Sequence, residues 1–373
     1  MIPLHKSCCT FPLLYTSKAL HNRGKMMSGL LSILVTKPTG TFALGIALAA
    51  MAPNSAAQLP ASAPIADPRD TRFQNVKEDW NTPSLNGSNL SPIQPLALVD
   101  DSHPEYTVEL VQAQWRWGDP IDLYVIKPKG VKRPGVILNL YGYPADTDPY
   151  KNEIFQKALV EGGFAAVGFV SALTGHRYHD RPMKEWFLSE LQECLAKSAH
   201  DVQMVLNYLT SRGDLDMNRV GMFGQGSGAS IAILASAADP RIKVLDVLDP
   251  WGDWPVWMTT SPFVPEEEHA DFVKPEFLKK VAPLDPLDWL PKIQAKQFRF
   301  RQNTFELDTP TAVKEKLRLA VPAGTSIVRY KDIPEFLKDF PHSTNLKWIE
   351  DGLPATEAQH VLSPNKIDST SSK

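Results

Sequence analysis

Between Arg219 and Ser230 the sequence reads Arg-Val-Gly-Met-Phe-Gly-Gln-Gly-Ser-Gly-Ala-Ser. A short apolar run, Val220 to Phe223, meets a cluster of glycines and continues into an Ala/Ile/Leu-rich segment, Ala229 to Ala238. That order predicts a strand, a sharp turn and a helix. Where a strand and the helix after it pass close together, the positions two before and two after the apex must be small. Gly224 and Gly228 satisfy this, and the residue midway between them is Gly226.

The stretch resembles the nucleophile elbow Gly-x-Ser-x-Gly of the α/β-hydrolases. Within that superfamily the chain is most similar to the esterases, dienelactone hydrolases and prolyl-oligopeptidase-type peptidases. The resemblance implies an α/β fold: a mostly parallel central sheet, helices on both faces, and a cap insert. It also places the nucleophile at the apex, where this chain has Gly226, and Ser227 comes one place late. If Ser227 is the nucleophile, the flanking positions become Gln225 and Ala229, and Gln225 is bulky for the crevice.

Upstream, Tyr106 to Trp115 alternates apolar and polar residues, and Ile121 to Ile126 follows the turn Gly118-Asp119-Pro120. These predict an antiparallel edge hairpin. Pro134 to Leu140 is nearly all apolar, as a strand buried on both faces requires. It ends in Tyr141-Gly142-Tyr143-Pro144. In the resembled family this strand usually ends in His-Gly, and a backbone N–H just after it serves the oxyanion hole. By that likeness Tyr141 stands in the histidine's place and Tyr143 is the donor, with the Ser227 N–H as the second; a plain strand-ending turn is the alternative.

Lys151 to Glu161 reads as a helix, Phe164 to Val170 as a buried strand, and Glu185 to Thr210 as a long helix. Between the last two, His176, His179 and Asp180 have metal-binding side chains. Three ligands within five residues, with no partner cluster elsewhere, point to loop hydrogen bonding instead of a metal site. Ile242 to Leu248 is the next strand. The Pro- and Glu-rich stretch after it, about residues 250–291, is the expected cap, and it carries Trp251, Trp254 and Trp257. These rings either wall a substrate pocket or pack the cap onto the core.

The resemblance implies an acid after the strand Lys296 to Gln302 and a histidine after the strand Thr325 to Tyr330. Pro310 fixes a register that puts Glu306 in the acid position, with Asp308 as the nearby alternative. No histidine lies in Lys331 to Leu337; His342 follows further on and His360 is in the tail. So the nucleophile slot holds glycine, the base slot is empty, and the acid slot is filled.

The first 57 residues are a different material. His21, Arg23 and Lys25 precede Met26 and Met27. An apolar run ends at Thr41 to Ala52, and Ser55-Ala56-Ala57 offers a cleavage site before Gln58. The order predicts an export leader. At about 12 residues the run is short of the roughly 20 that span a bilayer, and a retained N-terminal anchor is the alternative. Cys8 and Cys9 would leave with such a leader, so Cys194 would have no disulfide partner. Residues 58–102 read as a Pro/Ala/Ser-rich linker, 103–352 as the hydrolase-like domain and 353–373 as a tail.

The formal net charge of −3 over 373 residues gives no reason to expect a nucleic-acid partner, and no repeat is present. Two functions remain open. One is an exported serine-type hydrolase of esters or amides, using Ser227, His342 and Glu306 or Asp308 and needing no cofactor or metal. The other is a non-catalytic relative that binds a small-molecule or peptide ligand.

Overall fold

The computed structural model describes residues 76–143, 147–173, 177, 187–306, 308–339 and 346–354. A nine-stranded sheet runs through them in the order β1-β2-β3-β5-β4-β6-β7-β8-β9. The strands are β1 (Leu96–Ser102), β2 (Tyr106–Ala113), β3 (Ile121–Pro128), β4 (Gly135–Leu140), β5 (Ala165–Phe169), β6 (Asp216–Gln225), β7 (Ile242–Leu248), β8 (Gln297–Asn303) and β9 (Ser326–Tyr330). The first three strands pair antiparallel, as do β3 and β5, and every pair from β5 through β9 is parallel.

The expected hairpin is β2 and β3, but it is not the edge of the sheet. β1, within residues read as linker, pairs outside it. Its residues are all exposed, so it carries no buried face that could show as a periodic pattern.

All six residues of β4 are buried, as its apolar run requires. Successive side chains point to opposite faces of the sheet. Val136, Leu138 and Leu140 therefore join one core cluster, while Ile137 joins a second. Helices cover both layers. α1 (Glu153–Val160) and α10 (Lys347–Gly352) contribute Leu159 and Ile349 to the second cluster. The first cluster is filled by α2 (Leu191–Arg212) and α3 (Ser227–Ala238).

α3 is apolar nearly all round and is buried from Ser227 through Ala237, as expected of a helix enclosed by the core. It ends at Asp239, before Pro240, which cannot continue a helix. Four short α-helices lie between β7 and β8: α4 (Trp254–Thr260), α5 (His269–Phe272), α6 (Pro275–Val281) and α7 (Pro286–Trp289). α8 (Thr311–Ala320) and α9 (Ile333–Lys338) flank β9.

The interior also holds charge. Arg299 and Arg301 on β8 both donate to the carboxylate of Asp246 on β7, at 2.7–3.1 Å. A second network joins Asp119, Asp201, Arg116 and Arg177, and Arg116 extends it to Glu78. Trp115 adds an indole N–H to Asp201 at 2.8 Å. Buried charges of this kind persist only when paired. Here they tie the chain before β1 to α2.

Candidate functional site

The elbow forms where the glycine spacing predicts it. β6 ends at Gln225 and α3 begins at Ser227. Gly226 between them has φ 56° and ψ −121°, a conformation that strains any residue with a Cβ. Its N–H donates to the Leu248 carbonyl at 2.9 Å, fixing the apex against the end of β7.

The flanking glycines are required by backbone crowding. A Cβ at Gly224 would lie 2.6 Å from the Gly228 carbonyl oxygen, and one at Gly228 would lie 2.2 Å from the Leu140 carbonyl oxygen. At Gly226 the nearest atoms would be 3.7 Å away, the Gly142 Cα and the Trp251 Nε1. The apex thus has room for a Cβ and carries none.

Ser227 is buried, at 1% exposure. Its Oγ accepts the Tyr143 N–H at 2.8 Å. Tyr143 lies just past β4, the position from which the family resemblance draws an oxyanion donor. The Ser227 hydroxyl is thus bonded to the N–H expected to meet a substrate oxygen. Gly142 permits this approach, since a Cβ there would sit 3.2 Å from the Gln225 carbonyl oxygen.

Trp251 is held beside the apex by α3. The Ser230 hydroxyl donates to the Trp251 carbonyl and accepts the Trp251 N–H, both at 2.9 Å. Trp251 packs against Trp257 at 4.9 Å and Phe263 at 5.1 Å, and Trp254 meets Trp257 edge-on at 5.9 Å. All three tryptophans are buried, at 2% exposure or less. They pack this segment onto the core.

A second polar group lies at the same, C-terminal, edge of the parallel strands. Asp249, just after β7, adopts φ 47°. Its carboxylate accepts the Asn303 N–H at 3.0 Å and lies 3.5 Å from the Lys314 ammonium. Burial pushes its carboxyl up to about 7; Lys314 pulls the other way and Glu306 adds to the rise. Lys314, from α8, also donates to the carbonyls of Asn303 and Glu306, at 2.5 and 2.8 Å. Both acid candidates stand in this neighbourhood. Burial raises the Glu306 carboxyl, with Asn303 opposing and Asp308 adding; burial likewise raises Asp308, with Lys314 opposing.

Glu306 and Asp308 are therefore partly buried carboxyls grouped with a lysine, and Asp249 and Lys314 are members that the sequence reading missed. The one signal for Asp249 was its place directly after a buried strand. His342, the base candidate, lies outside the described residues, as do His176, His179, Asp180 and His360. The three described histidines are engaged elsewhere. His103 stacks on Tyr106, His200 bonds Glu78 and the Thr82 carbonyl, and His269 bonds the Val264 carbonyl. No group of metal-binding side chains occurs among the described residues, and none of their helices is long and apolar enough to cross a membrane.

No protein-family model and no curated protein matches the sequence. Solved structures do match the fold. Acetyl xylan esterase 1 from Thermoanaerobacterium sp. JW/SL YS485 superposes with a TM-score of 0.55 at 12% identity, covering 70% of this chain and 89% of that one. The S-formylglutathione hydrolase from Agrobacterium tumefaciens gives 0.52 at 15% identity, covering 69% and 100%. An acetyl xylan esterase from Paenibacillus sp. R4 gives 0.51 at 17%, covering 71% and 90%. With its mostly parallel sheet, its strand–elbow–helix junction and these likenesses, the chain has the fold of the α/β-hydrolase superfamily.

Proposed function

We propose that this chain binds a small-molecule or peptide ligand at its elbow and does not hydrolyse it through a serine nucleophile. The observation that carries the reading is the 2.8 Å bond from the Tyr143 N–H to the Ser227 Oγ, beside an apex that is glycine. Serine catalysis needs a hydroxyl at the point of attack and a base within reach of it. Gly226 supplies no hydroxyl, and no described histidine bonds Ser227. The Ser227 N–H, at the first position of α3, has no intrahelical acceptor, as an oxyanion donor requires.

The test is labelling by a fluorophosphonate probe, with an active serine hydrolase alongside and peptide mass mapping after it. The expected result is no label, and little turnover of p-nitrophenyl acetate even after Gly226→Ser, because a nucleophile alone lacks a base worth about 10²–10⁴ in rate. Stoichiometric label on Ser227, abolished by His342→Ala, overturns the reading and establishes a shifted triad with Glu306 or Asp308 as acid.

A further inference from the structure

The chain before β1 crosses α2 and, with α6, borders an open groove of about 530 Å³. Its lining includes Trp80, Asn81 and Gln192 on one side and Glu276, Lys279 and Lys280 on the other. The volume is within the range of small-ligand sites, about 300–1,000 Å³.

Trp80 remains 37% exposed although its neighbours in the chain are pinned. Glu78 accepts from Arg116 at 2.5 and 2.8 Å and bonds the His200 ring at 2.7 Å. Asn81 donates its backbone and side-chain N–H groups to Asp79, both at 2.9 Å, and accepts from the Gln192 amide at 2.9 Å. Thr82 is bonded to the other nitrogen of His200 at 2.9 Å. A large ring is thus held partly exposed on an immobilised turn, with most of the ordering cost of binding already met. The Lys197 ammonium lies 5.8 Å from the ring centroid, a further restraint on it.

The polar lining narrows the chemistry. Glu78, which also lines the groove, is paired with Arg116 and His200, and Asp79 and Glu276 then balance Lys279 and Lys280, so little charge is left with which to select an ion. Neither lysine has an ion-pair partner among the described residues. Amides, carboxylates and ammoniums together offer donors and acceptors to many hydroxyls, while an aromatic face accepts an apolar ring face. A pyranose has both surfaces. We propose that this groove is a carbohydrate-binding site, selective for neutral saccharides, with Trp80 as its stacking platform. It is separate from the elbow and does not depend on how the elbow functions.

The experiment is isothermal titration of the whole protein with maltotriose, cellotriose and triacetylchitotriose, each also followed by tryptophan fluorescence. Saturable binding of at least one trisaccharide is expected, weakened about tenfold or more by Trp80→Ala, which equals a loss of about 1.4 kcal/mol. Lys279→Ala, on the opposite wall, should weaken it several-fold without touching the platform, and circular dichroism checks that both variants fold. The proposal is overturned if none of the three binds at millimolar concentration. It is equally overturned if binding survives both substitutions.

Discussion

The Tyr143 N–H and the Ser227 Oγ are 2.8 Å apart, and this bond closes the gap between the loop after β4 and the start of α3. The hydroxyl accepts from a half-buried backbone donor. Ser227→Ala should therefore lower stability by about 1–2 kcal/mol, the ordinary cost of leaving such a donor unpaired. Urea denaturation measures this, and an unchanged midpoint would mean that the bond contributes nothing.

Two of the elbow glycines, Gly226 and Gly228, should respond differently to a methyl group. Gly226→Ala meets only ordinary van der Waals contacts at 3.7 Å, so its cost is chiefly backbone strain, about 1–3 kcal/mol. Gly228→Ala drives a Cβ to 2.2 Å from a backbone carbonyl oxygen, where neither strand nor helix can give way locally. Thermal melts should show the first variant folded and the second severely destabilised or insoluble. Equal tolerance of the two would contradict the crowding at this junction.

Asp249 ties stability to pH. Its carboxyl rises from 3.8 to about 7 on folding, chiefly through burial. The folded state therefore holds this proton more tightly than the unfolded chain does. Its contribution is fully present below the unfolded value and is lost as pH rises through about 7. Asp249→Asn has no such proton, so its stability relative to wild type should improve between about pH 4 and about pH 7.5, by at most about 4 kcal/mol at about 1.4 per unit. Paired denaturation curves at the two pH values test this, and a gap that stays constant would remove the linkage.

Asp246 faces two guanidinium groups and has no solvent exposure. Asp246→Asn leaves Arg299 and Arg301 without their shared counter-charge inside the sheet. A loss of about 3–5 kcal/mol is expected, as when one member of a buried ion pair is removed. A loss below about 1 kcal/mol, the size expected of an exposed pair, would show that water reaches them.

Export is proposed from the first 57 residues alone. It predicts a mature chain beginning near Gln58 in the native host, read by N-terminal sequencing. Soluble cytoplasmic protein with an intact N-terminus would end that proposal.

Much of the fold was legible because close backbone contact leaves a compositional trace. Gly224, Gly226 and Gly228 mark the junction, and the apolar run ending at Leu140 marks a strand covered on both sides. β1 left no such trace, because it is held by hydrogen bonds to β2 and buries nothing. The Glu78–Arg116–His200 contacts and the Asp249–Lys314 pair join residues far apart in the chain, and nothing local in any of them marks the partner. The bond between Ser227 and Tyr143 was hidden for another reason: the sequence placed both at the oxyanion position as donors, but a hydroxyl's direction depends on the rotamer that the fold selects.

Among the described residues no strand pairs with the outer flank of β1, and this bears on how copies of this protein behave at high concentration. A bare strand edge invites another chain to add to it. β1 carries Leu96, Leu98 and Val99 exposed, a sticky run, and directly after them Asp100 and Asp101. Stacking copies in parallel register would set each aspartate against its own image, a repulsion repeated at every added layer. By that repulsion the acidic pair opposes edge-to-edge stacking of copies, and neutralising it removes the opposition.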